Sequence, residues 1–407
     1  MQKQILALNK IISQKKFVTI LGFFGLYLLA SGSSWLVFSY LSKPSGGVAV
    51  ITGDLDKARS KIDTSGPKTE ECPINGMKYT KIERGIWEGR RPITAMIENH
   101  ADSRPPSGLS RADVIYEAVA EGGITRFLAV MYCGLSAGDV EIAPVRSARI
   151  YFVDWGQEWG DKPLFVHVGG ANNYSGSGDT AREVRALETL EAMGWRIPKG
   201  NDFDTTYDSG FPVFWRNYER LDHEVATEHT MVVSTDAAYK EAEKRNLGAL
   251  DKSGKAWNTN YITWKFADEK APATPKADKI SFEFWSNKPD YNVEWNYDKV
   301  NNIYLRTNGG KPHTDLEYDS AQLSTKNLVI QFVVEKGSVD RNLHMSYANI
   351  GQGKALVFQN GDAVEATWKK ASKGARTVFY AKDGSEILFV RGTIWIEALP
   401  VGNTVQY

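Results

Sequence analysis

The chain has 407 residues, 42% of them apolar and 24% charged, with 49 basic and 49 acidic side chains and a formal net charge of zero. That length and apolar content suffice for two ordinary domains, each with its own core. The charge balance excludes a global polyanion-binding surface, so nucleic-acid binding has no support in the composition.

Residues 1–16 carry Lys3, Lys10, Lys15 and Lys16 and no acid, and residues 17–41 carry no charge at all. At about 1.5 Å per residue the uncharged run reaches roughly 37 Å, enough to cross a hydrocarbon core of roughly 30 Å. The lysines precede it, which predicts a cytoplasmic tail (1–16), a single transmembrane helix (17–41) and an extracytoplasmic remainder held at the plasma membrane. The alternative is a cleaved signal peptide. Ala30-Ser31-Gly32-Ser33 offers small residues, but the apolar run continues through Trp35 to Phe38. Residues 42–80 begin rich in Ser, Gly, Lys and Asp and read as a stalk or linker.

Residues 81–250 read as an α/β domain. Short apolar runs at 93–97, 114–120 and 127–133 are bounded by Gly, Pro, Ser and Asp, the pattern of buried strands. Gly122-Gly123 supplies the positive φ values of a tight hairpin between two of them. Pro144 stops any strand, and Ser147 is placed to cap a helix over 148–159. A strand at 164–168 follows, then a helix from Asp179 or Thr180 to Met193. A strand at 230–234 leads into a helix capped by Thr235 or Asp236. Strands alternating with helices predict an α/β fold with a mixed sheet. Residues 251–278 form a linker with one strand, 261–266. Residues 279–407 carry short apolar or alternating runs about ten residues apart without helical periodicity, which predicts a β-rich second domain.

Charged residues and glycines crowd the strand ends of the first domain, where loops carry sites on a rigid scaffold. Arg146 and Arg149 flank the expected helix start, where free N–H groups and the helix dipole favour an anion. Two guanidiniums there suit a phosphate or pyrophosphate. The alternative is that they pair with carboxylates and fix the loop. Arg126, Ser147, Glu98, Glu121, His100 and His167 complete the candidate ligand-binding set. Glu117 interrupts an apolar run and needs a partner if buried, for which Arg126 is the nearest choice; a carboxylate set with Glu98 and Glu121, joined by Asp113, holding Mg²⁺ or acting as a base, is the functional alternative. His100, His167 and His229 end strands, and His313 and Asp315 form an H-x-D, but no pair has zinc-motif spacing, so no metal is expected. Cys72 and Cys133 are the only cysteines. An even count outside the cytoplasm permits one disulfide; two unpaired thiols are the alternative. No Walker A and no kinase glycine loop occurs.

The segments RPITAMIEN, DSRPPSGL, ADVIYEAVAEGGITRFLAV, PVRSAR and FVHVGG together resemble the YerB-like family of bacterial membrane-tethered envelope lipoproteins, a domain pair with no assigned function. The resemblance runs on through YDSAQLSTKNLVIQFV, GQGKALVFQNGDAVEATWKK and GTIWIEALP, and covers residues 86–400. Many members carry a cysteine just after the apolar stretch. None lies near residue 41 here, so the uncleaved anchor would replace the lipid. The resemblance implies the envelope location and no reaction; with the anchor, the stalk and the lack of a recognised catalytic motif it leads to the expectation of a binding or scaffold protein of the cell envelope, without cofactor, whose partners are the membrane and an envelope component. In layout and arginine placement alone the chain also resembles the LytR-CpsA-Psr phosphotransferases. That implies the alternative, a phosphotransferase or hydrolase acting on a (pyro)phosphorylated lipid precursor with Mg²⁺, and transfers no catalytic residue.

Overall fold

Three antiparallel strands, Ile93–Glu98 (β1), Val114–Glu121 (β2) and Ile124–Met131 (β3), lie in the spatial order β2-β3-β1. Gly122 and Gly123 join β2 to β3 at φ of 57° and 85°, a conformation that costs a residue with a Cβ. All six β1 residues are buried, because both faces of the sheet are covered and the usual alternation is lost. Beyond β1, Leu164–His167 (β4) pairs parallel to it, and Asp202–Asp204 (β5) pairs parallel to β4.

The computed structural model describes residues 62–270 and 274–407. The expected tail (1–16), transmembrane helix (17–41) and first part of the stalk (42–61) lie outside these. Among the described residues, no helix is long and apolar enough to cross a membrane. The end of the expected stalk is part of the folded body: Glu70–Glu71 pairs with Lys78–Tyr79, and Cys72 and Ile74 are fully buried between them.

The second half contributes two sets of strands. Lys279–Phe282 (β6), Val293–Asp298 (β7) and Ile303–Asn308 (β8) form a smaller antiparallel sheet. Asn327–Lys336 (β9), Gly351–Gln359 (β10), Asp362–Lys370 (β11), Val378–Ala381 (β12) and Ile394–Pro400 (β13) extend the first sheet. Val405–Gln406 (β14) returns to the edge of the smaller sheet beside β6. The join is β13, which pairs parallel to β2 on one side and parallel to β9 on the other. One sheet in the order β12-β11-β10-β9-β13-β2-β3-β1-β4-β5 therefore runs through both halves of the chain. The expected linker strand at 261–266 is reduced to Phe266–Ala267, paired with Phe389–Val390.

The expectation of an α/β N-terminal domain is corrected: among the described residues the fold is mostly β, while the expected single N-terminal transmembrane helix lies outside them. Among the described residues, α-helix is confined to Lys81–Trp87 (α1), Ile150–Gly156 (α2), Ala186–Ala192 (α3) and Thr235–Lys244 (α4). The helix expected over 148–159 loses its start because Ala148 is held extended, donating to the Gly169 carbonyl at 3.0 Å and bridging Gly170. The helix expected to run to Met193 is broken at Arg185, which is extended after a single 3₁₀ turn. Sheet hydrogen bonds and loop contacts override the local helical periodicity at both places.

Arg306 of β8 ties the smaller sheet to the larger. It donates to Glu117 of β2 and to Glu397 of β13, each at 2.6 Å, and all three side chains are fully buried. Burial, and the Glu117 carboxylate beside it, raise the Glu397 pKa well above the usual range. That direction works against a second buried negative charge beside the single Arg306 guanidinium.

Candidate functional site

Glu98 closes β1 opposite Arg126 of β3, and its N–H donates to the Pro144 carbonyl at 2.9 Å. That bond seats the loop 144–149 against the strand ends. Arg146 Nε then lies 2.9 Å from Glu98 Oε1, and its NH1 donates to the Glu228 carbonyl at 3.1 Å. The other Glu98 oxygen lies 2.6 Å from His229 Nδ1. His100 stacks on His229 with ring centroids 4.9 Å apart, and its Nδ1 accepts from the Asp102 N–H at 3.2 Å. Across the loop, Glu121 contacts Arg149 and accepts from Arg126 at 3.2 Å. Arg126 also donates to the Ser147 carbonyl, and Arg149 to the Ala148 carbonyl, each at 2.7 Å.

Glu98, His100, Glu121, Arg126, Arg146, Ser147 and Arg149 thus meet in one network, and His229 joins it. Its electrostatics are internal. Burial would raise the Glu121 pKa, but Arg126 and Arg149 outweigh it and hold the group at about 2. Burial lowers the Arg149 pKa, with the like charge of Arg126 adding to it and Glu121 opposing. Glu121 is in effect an anion already built between two guanidiniums, and an incoming phosphate would have to displace it. The cap expected at Ser147 does not form. Arg149 occupies the N-cap position with no side-chain cap bond, and the seven-residue helix behind it offers no anion site of its own.

His167 lies apart from this network. Its ring faces the Gly169 carbonyl at 2.8 Å and the Asp202 carboxylate. Arg196 bridges Asp202 and Asp204 at 2.7 and 2.8 Å. Burial opposes charging the ring, but Asp202, with Asp204 behind it, raises its pKa. His167, Arg196, Asp202 and Asp204 therefore close on one another with no exposed member. Glu117 is not the partner of Arg126; besides Arg306 it accepts from Thr125 Oγ1 at 2.6 Å and Asn99 Nδ2 at 3.2 Å. The H-x-D splits as well. His313 accepts from Arg306 Nε at 3.1 Å, while Asp315 accepts from the Gly108 and Ser110 N–H groups at 2.8 and 2.7 Å.

Cys72 and Cys133 form a disulfide that joins the segment before α1 to the end of β3. With Asp113 they lie close enough for metal ligands. Disulfide sulfurs are not thiolates, however, and the Asp113 oxygens accept from Asn75 at 2.6 Å and from the Tyr132 N–H at 2.6 Å. The group does not fit a metal. Burial raises Asp113 to about 7, against those hydrogen bonds.

A different feature lies on the smaller sheet. A cleft of about 1120 Å³ is lined by residues of β6, β7, β8 and β14, by the 284–287 turn, and by Glu335 and Pro400. Trp285 is fixed at it by donating its indole N–H to Glu335 at 2.9 Å, and Glu335 also accepts from the Tyr347 hydroxyl. The hairpin tip reaches the same place: a Cβ on Gly123 would come within 2.5 Å of Lys288 and 3.0 Å of Trp285. Sequence reasoning missed these residues. An aromatic beside Ser286 and Asn287 in a β-rich region is a weak signal, since such aromatics are usually core.

Residues 79–248 match the family described as protein of unknown function (DUF3048) N-terminal domain, and residues 280–396 match the C-terminal domain of the same family. A Bacillus subtilis (strain 168) protein named "Putative lipoprotein YerB" is 31% identical over 336 residues, covering 82% of this chain and 87% of that protein. The chain belongs to the YerB-like family. The crystal structure of the YerB protein from Bacillus subtilis agrees in fold, with a TM-score of 0.64 at 27% identity over 83% of this chain and 100% of that one. The two family matches in this YerB-like chain leave out residues 249–279, yet its largest sheet takes strands from both matched segments.

Proposed function

We propose that this YerB-like chain is an extracytoplasmic binding protein of the bacterial cell envelope whose recognition surface is the cleft on the smaller sheet. The observation that carries the reading is the contrast in polar groups: each arginine of the 126–149 network already faces a carboxylate, whereas the cleft is open and lined by side chains with hydrogen-bonding capacity left over. Two further facts support the location. A buried disulfide belongs in an oxidising compartment, and the Bacillus relative's name places it among lipoproteins. The alternative, a phosphotransferase or hydrolase acting on pyrophosphorylated precursors with Mg²⁺, would need Glu98 and Glu121 to release their arginines.

The test is co-sedimentation of the purified protein with isolated bacterial cell walls, beside calorimetry with inorganic pyrophosphate. Wall binding should weaken in Trp285→Ala and persist in Arg149→Ala, and pyrophosphate should give no heat. Pyrophosphate binding abolished by Arg149→Ala, with the melting temperature unchanged, would establish the alternative instead.

A further inference from the structure

We infer that the cleft takes a neutral polyhydroxylated chain, that is, a glycan; this rests on the binding-protein reading above and names its ligand. Among the described residues the lining has eight Ser, Thr, Asn or Gln side chains, three carboxylates and no Lys, Arg or His. A phosphate or carboxylate ligand would meet three carboxylates there, with Lys279 beside the cleft already paired to Glu294, and like charges across an interface disfavour binding. That disfavours anionic polymers.

The carboxylates are themselves positioned. Glu294 is paired with Lys279 at 2.7 Å, Glu283 accepts from Asn292 at 3.0 Å, and Glu335 accepts from Trp285 and Tyr347. An ionised carboxylate has about four acceptor sites, so each keeps room for O–H donors. Among the described residues only Glu283 and Glu335 lack a cationic partner, few beside eight neutral donor–acceptor groups, which favours a hydroxyl-rich ligand over a cationic peptide. Trp285, held by its N–H bond, supplies a flat apolar surface for the C–H face of a sugar ring. The volume of about 1120 Å³ exceeds the roughly 300–1,000 Å³ usual for small-molecule sites and suits several linked rings.

The experiment is calorimetry on the purified full-length protein with two neutral hexasaccharides, chitohexaose and cellohexaose, and with hexalysine. At least one saccharide should bind. Trp285→Ala should weaken that binding tenfold or more at an unchanged melting temperature, Trp285→Phe should recover part of it, and Asn287→Ala should weaken it less. Hexalysine binding that depends on Trp285, with neither sugar binding, would make the ligand a cationic peptide and overturn the inference. Sugar binding untouched by both Trp285→Ala and Asn287→Ala would also overturn it, since the sugar would then sit elsewhere. If neither sugar binds but Trp285-dependent wall sedimentation survives, the glycan assignment fails and the binding-protein reading stands. Loss of both removes both.

Discussion

At the ends of β1 and β3, guanidiniums, carboxylates and an imidazole pair with one another; on the smaller sheet, carboxylates, amides and hydroxyls line an open cleft with capacity to spare. The first region carries the motif-like segments of the sequence, and the second carries none. The difference teaches that a dense run of charged residues need not mark a ligand site. A charge near a strand end must be compensated if it is buried, and the nearest compensation is another residue of the same fold. Recognition is left to groups exposed enough to keep their water until a ligand replaces it.

The severest way to break the comparison is at Arg306, a fully internal member of the first kind. Arg306→Met leaves Glu117 buried without its cation and should cost about 3–5 kcal/mol. Urea unfolding measures it, and a loss below about 1 kcal/mol would mean that the two sheets are held together by other contacts. The disulfide comes next. The cysteines are 61 residues apart in sequence, for which the chain-entropy relation gives about 4 kcal/mol, less any strain. Cys72→Ser with Cys133→Ser should lower the unfolding free energy extrapolated from urea curves by that amount while leaving cleft binding intact below the new melting temperature; loss of binding in the still-folded protein would refute the independence of the two regions.

Glu121 gives a smaller and pH-dependent effect. Its folded pKa of about 2 lies below its ordinary value of 4.5. Its contribution is therefore complete above pH 4.5 and is lost as pH falls from there towards 2, and it amounts to at most about 3 kcal/mol. Unfolding free energies at pH 7 and pH 3 should differ less in Glu121→Gln than in the wild type. Equal differences would show that Arg126 and Arg149 do not depend on this carboxylate. Smallest in stability is Trp285→Ala, at about 1 kcal/mol for a half-buried ring losing one hydrogen bond, although it carries the largest effect on binding. A stability loss of about 3 kcal/mol or more, read from the same denaturant curves, would turn Trp285 into a structural residue and merge the two classes.

Much of the fold is legible locally. The β2–β3 hairpin follows from apolar runs around Gly122-Gly123, and the β-rich character of 279–407 follows from short runs broken by turns. The helices over 148–159 and to Met193 mislead, because Ala148 and Arg185 are held extended by partners distant in sequence or by a local break that periodicity does not reveal. Arg126, Arg146, Arg149, Glu98 and Glu121 are recognisable as a cluster from their strand-end positions, but which charge meets which is not. Glu117 illustrates the limit: Arg126 is nearby in sequence, yet the partner is Arg306, 189 residues away.

What the sequence by itself determined is whatever depends on neighbours within a few residues: the strand runs, the glycine turn, the charge neutrality and the two cysteines available for one bridge. The tertiary structure alone decided that β13 inserts between β2 and β9, that Arg306 sits between Glu117 and Glu397, and that Trp285, Glu335 and β14 share a cleft. Short-range preferences are written in periodicity and turn chemistry, whereas long-range pairing is chosen by the burial of whole faces and by the need of each buried charge for a partner, which only the folded chain can supply.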